Sequence, residues 1–235
     1  MIASVRYLVV LFLAAACASS SSQTSVATRD QATARRVPIA VDRSETEIKR
    51  FEESDRAAPP APGGIVFVGS SSIRMWKSLE SDFPGLPVMN RGFGGSTFPE
   101  ANHYLSRIVL KYRPRTIVVY EGDNDLTFGW GPRQVADDYR AFVRMVRDSL
   151  PSAKIVFISL KPSPSRWKLV DQQREANRLV RDIVRRDSLQ SFVDVFTPML
   201  GANGRPQPEL FIADSLHMTP AGYAIWRTQV APHLQ

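Results

Sequence analysis

Short apolar runs alternate along this chain with longer segments in which apolar residues recur every three or four positions. Short runs rich in β-branched residues are typical of buried parallel strands, and they lie at 65–68, 116–120, 154–160 and 192–196, with a weaker one at 87–90. Helical spacing occurs across 101–111, in the set Val135, Tyr139, Phe142, Val143, Val146 and Leu150, and in the set Ala176, Leu179, Val180, Ile183 and Val184. Strands that alternate with helices predict an α/β protein whose parallel sheet is covered on both faces.

A further helix is predicted over 44–55, ahead of the first strand. Ser44 and Glu47 match the capping-box pattern, in which each side chain binds a free backbone amide at the start of a helix. Ile48 and Phe51 are three positions apart and share one apolar face. The Pro- and Gly-rich stretch 57–64 then ends this helix.

The first 17 residues have the pattern of an export signal. Arg6 supplies the positive start, 8–16 is an apolar run, and small residues follow. The run is shorter than the roughly 20 apolar residues that a membrane-spanning helix needs. The segment 13–17 resembles the lipobox of bacterial lipoproteins, and Ala14 is the one departure, since Leu is commoner there. Because of this resemblance, we favour lipid attachment at Cys17 over simple cleavage after Ala18. In both cases we expect export to the bacterial cell envelope, either lipid-anchored or periplasmic, or secretion.

The domain organisation follows from composition. Residues 18–42 contain few large apolar groups and predict a flexible linker, which leaves 43–235 as one folded domain. With 43% hydrophobic residues in a chain of 235, a single core needs no metal or disulfide to fold. Cys17 is the one cysteine of the chain, which excludes an internal disulfide.

The net charge of +7 comes mostly from arginines dispersed along the chain. A dispersed excess does not define a groove for nucleic acid, so we expect no nucleic-acid partner. We expect contact with a membrane only through a lipid on Cys17, and the sequence leaves the oligomeric state open.

Polar segments that follow the predicted strands carry the candidate chemistry, because functional residues of open α/β sheets gather beyond the carboxyl ends of the strands. These segments are 69–74, 90–97 and 121–125, and a fourth, 214–217, precedes the last helix. A serine at a helix start lies near free amides that stabilise an oxyanion, and glycines allow close approach of backbone to substrate. An asparagine is an uncharged donor, and a histidine beside a carboxylate accepts a serine proton.

Taken together and in this order, the four segments resemble the SGNH-hydrolase superfamily, also called the GDSL esterase/lipase family. The resemblance implies that Ser71 is the nucleophile of a triad with Asp214 and His217. It implies an oxyanion hole made by the backbone amides of Ser71 and Gly95 and the side chain of Asn124. It also implies a flavodoxin-like three-layer α/β/α sandwich with a central, mostly parallel five-stranded sheet, and metal-independent hydrolysis of esters or thioesters without a cofactor.

One departure from the family pattern lies beside the nucleophile. Ser70 stands where the family usually has Asp, which is not one of the catalytic groups. Because three serines are consecutive here, Ser70 and Ser72 are alternatives to Ser71 as the nucleophile. An α/β-hydrolase of the Gly-x-Ser-x-Gly type is disfavoured, since Ile73 occupies the position of its final glycine.

Other polar and aromatic residues allow further interpretations. Carboxylates at 121, 123 and 125 could hold a divalent cation, but no second carboxylate cluster accompanies them. We therefore expect Asp123 or Asp125 to cap and order the loop instead. Trp130, Arg166 and Trp167 follow strand ends and are candidate substrate contacts, although tryptophan more often packs in a core.

We therefore predict a serine esterase that hydrolyses carboxylic esters, of short acyl chains, on a small molecule or a glycan. The alternative is a catalytically inactive, envelope-anchored glycan-binding protein of the same fold, favoured by Ser70 alone.

Overall fold

The apolar runs form one five-stranded, all-parallel sheet in the computed structural model of the chain, which describes residues 1–2 and 41–235. The strands are β1 (Ile65–Gly69), β2 (Val88–Gly92), β3 (Thr116–Tyr120), β4 (Lys154–Ile158) and β5 (Gln190–Val193). Their order across the sheet is β2-β1-β3-β4-β5. The predicted α/β fold with a parallel sheet is confirmed. The predictions for the export signal, Cys17 and the linker up to residue 40 lie outside the described residues.

The α-helices of the described residues alternate with these strands. They are α1 (Glu45–Ala57), α2 (Ser71–Arg74), α3 (Leu79–Asp82), α4 (Phe98–Ile108), α5 (Asp123–Thr127), α6 (Pro132–Ser149), α7 (Val170–Val184) and α8 (Pro220–Val230). All belong to one compact unit, Arg36–Gln235. Within the described part of the chain, every helix is too short or too polar to cross a bilayer.

Two aromatic clusters fix the helices to opposite faces of the sheet. On one face the ring of Phe157 in β4 packs against Tyr139 of α6, with centroids 5.1 Å apart. Tyr120 and Phe67 face the other side, where Trp226 of α8 lies 4.8 Å from Tyr120 and Trp76 lies 5.7 Å from Phe67. Because side chains alternate along a strand, both faces of the central strands are buried, as their continuous apolar runs predict.

Four of the five strands differ in their bounds from prediction. The first ends at Gly69 instead of residue 68, and the second covers Val88–Gly92 instead of 87–90. The fourth strand ends at Ile158 instead of residue 160, because the amide and the carbonyl of Leu160 bond to the side chain of Asn177 and not to a neighbouring strand. The fifth strand covers Gln190–Val193 instead of 192–196, because the Val195 and Phe196 amides donate to the hydroxyl of Ser159. In both places, hydrogen bonds to side chains replace the backbone hydrogen bonds between strands.

The capping box predicted for the first helix is wrong. Ser44 makes no side-chain bond to the start of α1 and donates to Glu100 at 3.1 Å instead. The carboxylate of Glu47 accepts from the amide of Gly94 at 2.8 Å. Ile48 is fully buried, so the predicted apolar face is present, whereas Ser44 binds the first turn of α4 and Glu47 binds the loop after β2.

An ion pair attaches the C-terminal end of α1 to the sheet. Asp55 accepts from Arg91 of β2 and from the hydroxyl of Tyr112. The Arg91 side chain is 11% exposed, and its guanidinium lies over the rings of Phe51 and Tyr112. A mostly buried cation of β2 therefore depends on a carboxylate supplied by α1.

Candidate active site

Ser71 is the first residue of α2 and lies just beyond the carboxyl end of β1. The turn between them requires Gly69, because a Cβ at this position would lie 2.3 Å from the carbonyl oxygen of Tyr120. The amide of Ser70 donates to the same oxygen at 3.2 Å. These contacts bring the start of α2 to the edge of the sheet where the sequence predicts the chemistry.

The three consecutive serines have different surroundings. Ser70 and Ser72 are buried, at 3% and 2% exposure, whereas Ser71 is half-buried. The hydroxyl of Ser72 accepts from the ammonium of Lys161 at 3.1 Å. The hydroxyl of Ser71 lies 2.8 Å from Nε2 of His217. Among these serines, Ser71 is the one that contacts the imidazole.

Asp214 and His217 lie on one short loop ahead of α8. Oδ2 of Asp214 is 2.6 Å from Nδ1 of His217, and its Oδ1 accepts from the amides of Leu216 and His217. Burial alone would raise the pKa of Asp214, but the hydrogen bonds from His217 and Leu216 lower it to about 2. The ionised carboxylate can only accept, so Nδ1 carries the proton and Nε2 is the acceptor that faces Ser71.

Gly95 lies on the loop that follows β2 and has a φ of +68°, in the left-handed region that favours glycine. Nothing lies within 4 Å of the place that a Cβ would occupy, so the space beside Gly95 is open. Arg43 donates to the carbonyl oxygen of Gly95 at 2.6 Å, and Glu47 accepts from the amide of Gly94. Side chains near the start of α1 therefore hold the loop of the predicted oxyanion glycine.

Asn124 is the second residue of α5, beyond the carboxyl end of β3, and is 7% exposed. Its Nδ2 donates to the carbonyl oxygen of Ser96 at 2.8 Å, which ties α5 to the loop after β2. Its Oδ1 accepts from Nη2 of Arg166 at 2.7 Å. Both ends of the amide are thus fixed by the protein, and one N–H of Nδ2 remains for another acceptor.

A buried ionic cluster lies beside Asn124. Asp123 is 3% exposed and accepts from Arg166 at 2.7 Å and from Gln173 at 3.0 Å. The ammonium of Lys161, 1% exposed, lies 3.6 Å from Asp123 and donates to the hydroxyl of Tyr120. Burial alone would raise the pKa of Asp123, but the charges of Lys161 and Arg166 hold it below its ordinary value.

The three carboxyl groups considered as a metal cluster have separate partners. Asp123 belongs to the cluster just described, Glu121 accepts from the hydroxyl of Ser96, and Asp125 accepts from the amide of Phe98. Across residues 41–235, no group of three or more His, Cys, Asp or Glu side chains is placed to hold a metal ion. Burial raises the pKa of Glu121 well above its ordinary value and raises that of Asp125 to about 7.

The remaining candidate contacts lie on the loops after β3 and β4. Trp130 is half-buried, with its ring 6.3 Å from the exposed ring of Phe128. Trp167 is half-buried too, with the guanidinium groups of Arg205 and Arg174 lying 4.9 and 5.9 Å from its centroid. Substrate contact by these tryptophans stays a prediction. Arg166, the third candidate, already donates to two acceptors.

Sequence reasoning missed Arg43, Glu47 and Lys161 as partners of the site. Arg43 and Glu47 act on residues about 50 positions away, and local sequence carries no signal for such pairs. Lys161 is different, because it lies three residues beyond the end of β4 and the strand-end rule that found the other segments applies to it as well.

Comparison with known sequences supplies a family. The profile of the GDSL-like lipase/acylhydrolase family matches residues 67–225. The chain is 30% identical over 128 residues to the platelet-activating factor acetylhydrolase IB subunit alpha1 of Bos taurus, and the match covers 52% of each chain. It is 27% identical to subunit alpha2 of Gallus gallus over 199 residues, which cover 78% of this chain and 80% of the relative. The chain therefore spans about half of the first relative and more of the second.

Solved structures share the fold at low sequence identity. A GDSL-like lipase from Bacteroides thetaiotaomicron has a TM-score of 0.68 and 19% identity, covering 80% of this chain and 96% of that one. A catalytic mutant of an acetylxylan esterase from Geobacillus stearothermophilus has a TM-score of 0.59 and 15% identity, covering 74% and 95%. These likenesses establish the α/β architecture.

Proposed function

Because this chain belongs to the GDSL-like lipase/acylhydrolase family, within the SGNH-hydrolase superfamily, we propose that it is a serine esterase that hydrolyses carboxylic esters through an acyl-enzyme. One observation carries the proposal. The hydroxyl of Ser71, the imidazole of His217 and the carboxylate of Asp214 form a continuous line of hydrogen bonds of 2.8 and 2.6 Å. This arrangement allows a serine to lose its proton while it attacks a carbonyl carbon.

Acylation begins when Oγ of Ser71 forms a bond to the carbonyl carbon and its proton moves to Nε2 of His217. The negative charge that develops on the carbonyl oxygen is stabilised by the amides of Ser71 and Gly95 and by the free N–H of Asn124. Asp214 stabilises the imidazolium that forms. The C–O bond to the leaving group then breaks, and Nε2 returns the proton to the departing alcohol.

Deacylation repeats these steps with water. Nε2 of His217 accepts a proton from a water molecule whose oxygen attacks the acyl carbon. When the bond between that carbon and Oγ breaks, the proton passes from Nε2 to Ser71 and the carboxylic acid leaves. The same oxyanion donors serve both halves of the reaction.

Short acyl groups are the substrate class that we favour. The similar proteins include acetylhydrolase subunits and an acetylxylan esterase, whose names specify an acetyl group. Both a small-molecule ester and an acetylated glycan carry that group. A series of p-nitrophenyl esters with increasing acyl length therefore tests this part of the proposal, with the highest kcat/KM expected for acetate or propionate.

The reaction itself is tested with a labelled fluorophosphonate, which modifies activated serines. We expect the wild type to be labelled at Ser71, as mapped by mass spectrometry, and to hydrolyse p-nitrophenyl acetate in the presence of a chelator. Ser71→Ala should abolish both the labelling and the hydrolysis, whereas Ser81→Ala, at an exposed position, should retain both. Labelling at Ser70 or Ser72 would identify that serine as the nucleophile instead of Ser71.

A wild type that is neither labelled nor active on any ester of the series would overturn the esterase proposal. The non-catalytic glycan-binding alternative would then be favoured if the protein bound an acetylated polysaccharide without releasing acetate.

A further inference from the structure

We propose that Arg166 is a positioning residue for the hydrolysis: it bridges Asp123 and Asn124 and so fixes and polarises the amide that donates to the oxyanion. The inference rests on the proposed function, since it gives Asn124 a task in ester hydrolysis. It assigns to Arg166 a task other than direct contact with substrate.

The bridge is made by the two ends of one guanidinium. Nη1 of Arg166 lies 2.7 Å from Oδ2 of Asp123, and Nη2 donates to Oδ1 of Asn124 at 2.7 Å. Its side chain is 15% exposed. Because a guanidinium is planar and rigid, binding to Asp123 fixes the direction in which Nη2 points at the amide.

This contact sets the orientation of the Asn124 amide together with Ser96. In the observed orientation, Oδ1 meets a cation and Nδ2 meets the carbonyl oxygen of Ser96. A flipped amide would place its nitrogen against the guanidinium and its oxygen against that carbonyl, which makes two repulsive contacts. The remaining N–H of Nδ2 therefore keeps one direction before substrate arrives, as electrostatic preorganisation requires.

The charge of the cluster adds to this effect. Arg166 is always charged, whereas burial lowers the pKa of Lys161, the other basic group beside Asp123. Buried charges are costly unless they are paired, and the contact of 2.7 Å with Asp123 supplies that pair, so a full positive charge is kept next to the amide of Asn124. A cation that donates to Oδ1 polarises the amide of Asn124. This polarisation strengthens the remaining N–H of Nδ2 as a donor to a developing negative charge.

The test is a double-mutant cycle on p-nitrophenyl acetate, with kcat and KM measured separately. Asn124→Ala should lower kcat ~100-fold or more, as loss of an oxyanion donor does. Arg166→Gln should lower kcat by about 10-fold or more and change KM by less than about threefold, because the contact matters most in the transition state. In the Asn124→Ala background, Arg166→Gln should change kcat by less than about twofold.

A second variant keeps the test valid if Arg166→Gln folds poorly. Arg166→Lys retains the charge, but a single ammonium lacks the fork that spans two acceptors, so kcat should fall while the thermal midpoint stays near that of the wild type. Arg178→Gln is the matched control: Arg178 lies on the exposed side of α7, pairs with Glu175 and Asp182, and should be replaceable without loss.

Three outcomes decide between the proposals. A full kcat for both Arg166 variants would overturn the inference while leaving the esterase intact. Losses that simply multiply in the double variant would do the same, because Arg166 would then act independently of Asn124. A wild type without any esterase activity would overturn the proposed function and this inference together.

Discussion

The two sides of Ser71 are built in different ways. On one side, His217 and Asp214 are three residues apart on one loop, and Asp214 is 44% exposed. On the other side, Asn124 and Gly95 are held by Arg166 and Arg43, which lie 42 and 52 positions away along the chain. The first side is local, and its carboxylate is open to solvent, whereas the second is assembled from distant segments, with Asn124 buried and Gly95 half-buried.

Under the proposed mechanism, the difference follows from what each side would have to do. A base that shuttles a proton needs one partner to set its tautomer, and a short loop can supply that partner. Donors aimed at a charge that exists only in the transition state must be held before it forms, because reorganisation during the reaction would cost free energy. The side that stabilises charge is accordingly the one with rigid, long-range support.

Removing the proton acceptor should have the largest effect. We expect His217→Ala to lower kcat by about 10⁴-fold or more, since Ser71 then has no base. His103→Ala is the control, because His103 is exposed on α4. Steady-state hydrolysis of p-nitrophenyl acetate measures both, and a His217→Ala variant with more than a tenth of wild-type kcat would mean that the local side is dispensable.

Loosening the loop of Gly95 should have an intermediate effect. Arg43→Ala removes the bond to the carbonyl of Gly95 and the ion pair with the buried Glu100. We expect kcat to fall by roughly 10-fold, less than for loss of a donor itself, because Glu47 still holds Gly94. Lys49→Ala, at an exposed position of α1, should be neutral. A wild-type kcat for both variants would show that the bond from Arg43 to Gly95 is not needed.

The smallest effect on turnover is expected for Asp125, whose replacement should change stability instead. The pKa of Asp125 is raised to about 7 in the native state, so the native protein binds a proton that the unfolded chain has released. The free energy of unfolding attributable to Asp125 therefore falls as pH rises from about 4 to 7. Asp125→Asn should remove this slope, which amounts to roughly 3–4 kcal/mol across the window, because each unit of pKa shift is worth about 1.4 kcal/mol.

Denaturant unfolding at several pH values measures that slope, which is independent of any constant cost of the new amide. Asp137→Asn, whose side chain is 62% exposed on α6, should keep the wild-type slope. Parallel curves for Asp125→Asn and wild type would mean that Asp125 is already ionised in the folded protein throughout this pH window.

The contrast between local and long-range contacts also explains which features the sequence could predict. The strands were predictable because both faces of the central strands are buried, and continuous apolar runs express this directly. The segment 214–217 contains acid and base within one loop, so short-range pattern captures it. The bond between Arg166 and Asn124 joins segments that follow different strands, and the contact depends on side-chain directions that only the folded backbone defines.

The local sequence pattern also gave one wrong prediction, the capping box of the first helix. Ser44 and Glu47 have the spacing of a capping box, yet both bind the segment 94–100 instead. Capping is worth about 1 kcal/mol, and a tertiary contact with the buried carboxylate of Glu100 outweighs it. Polar residues at a helix start therefore have two competing uses that sequence alone does not separate.

The attachment of α1 bears on where a recombinant fragment of this protein can start. A fragment that begins at Phe67, where the family match begins, would lack Asp55 and Ile48. Arg91 would keep its place in β2 without its carboxylate, and the apolar surface that Ile48 covers would be open to water. The shortest fragment suitable for crystallisation or engineering therefore starts ahead of Arg43, well before the region by which the family is defined.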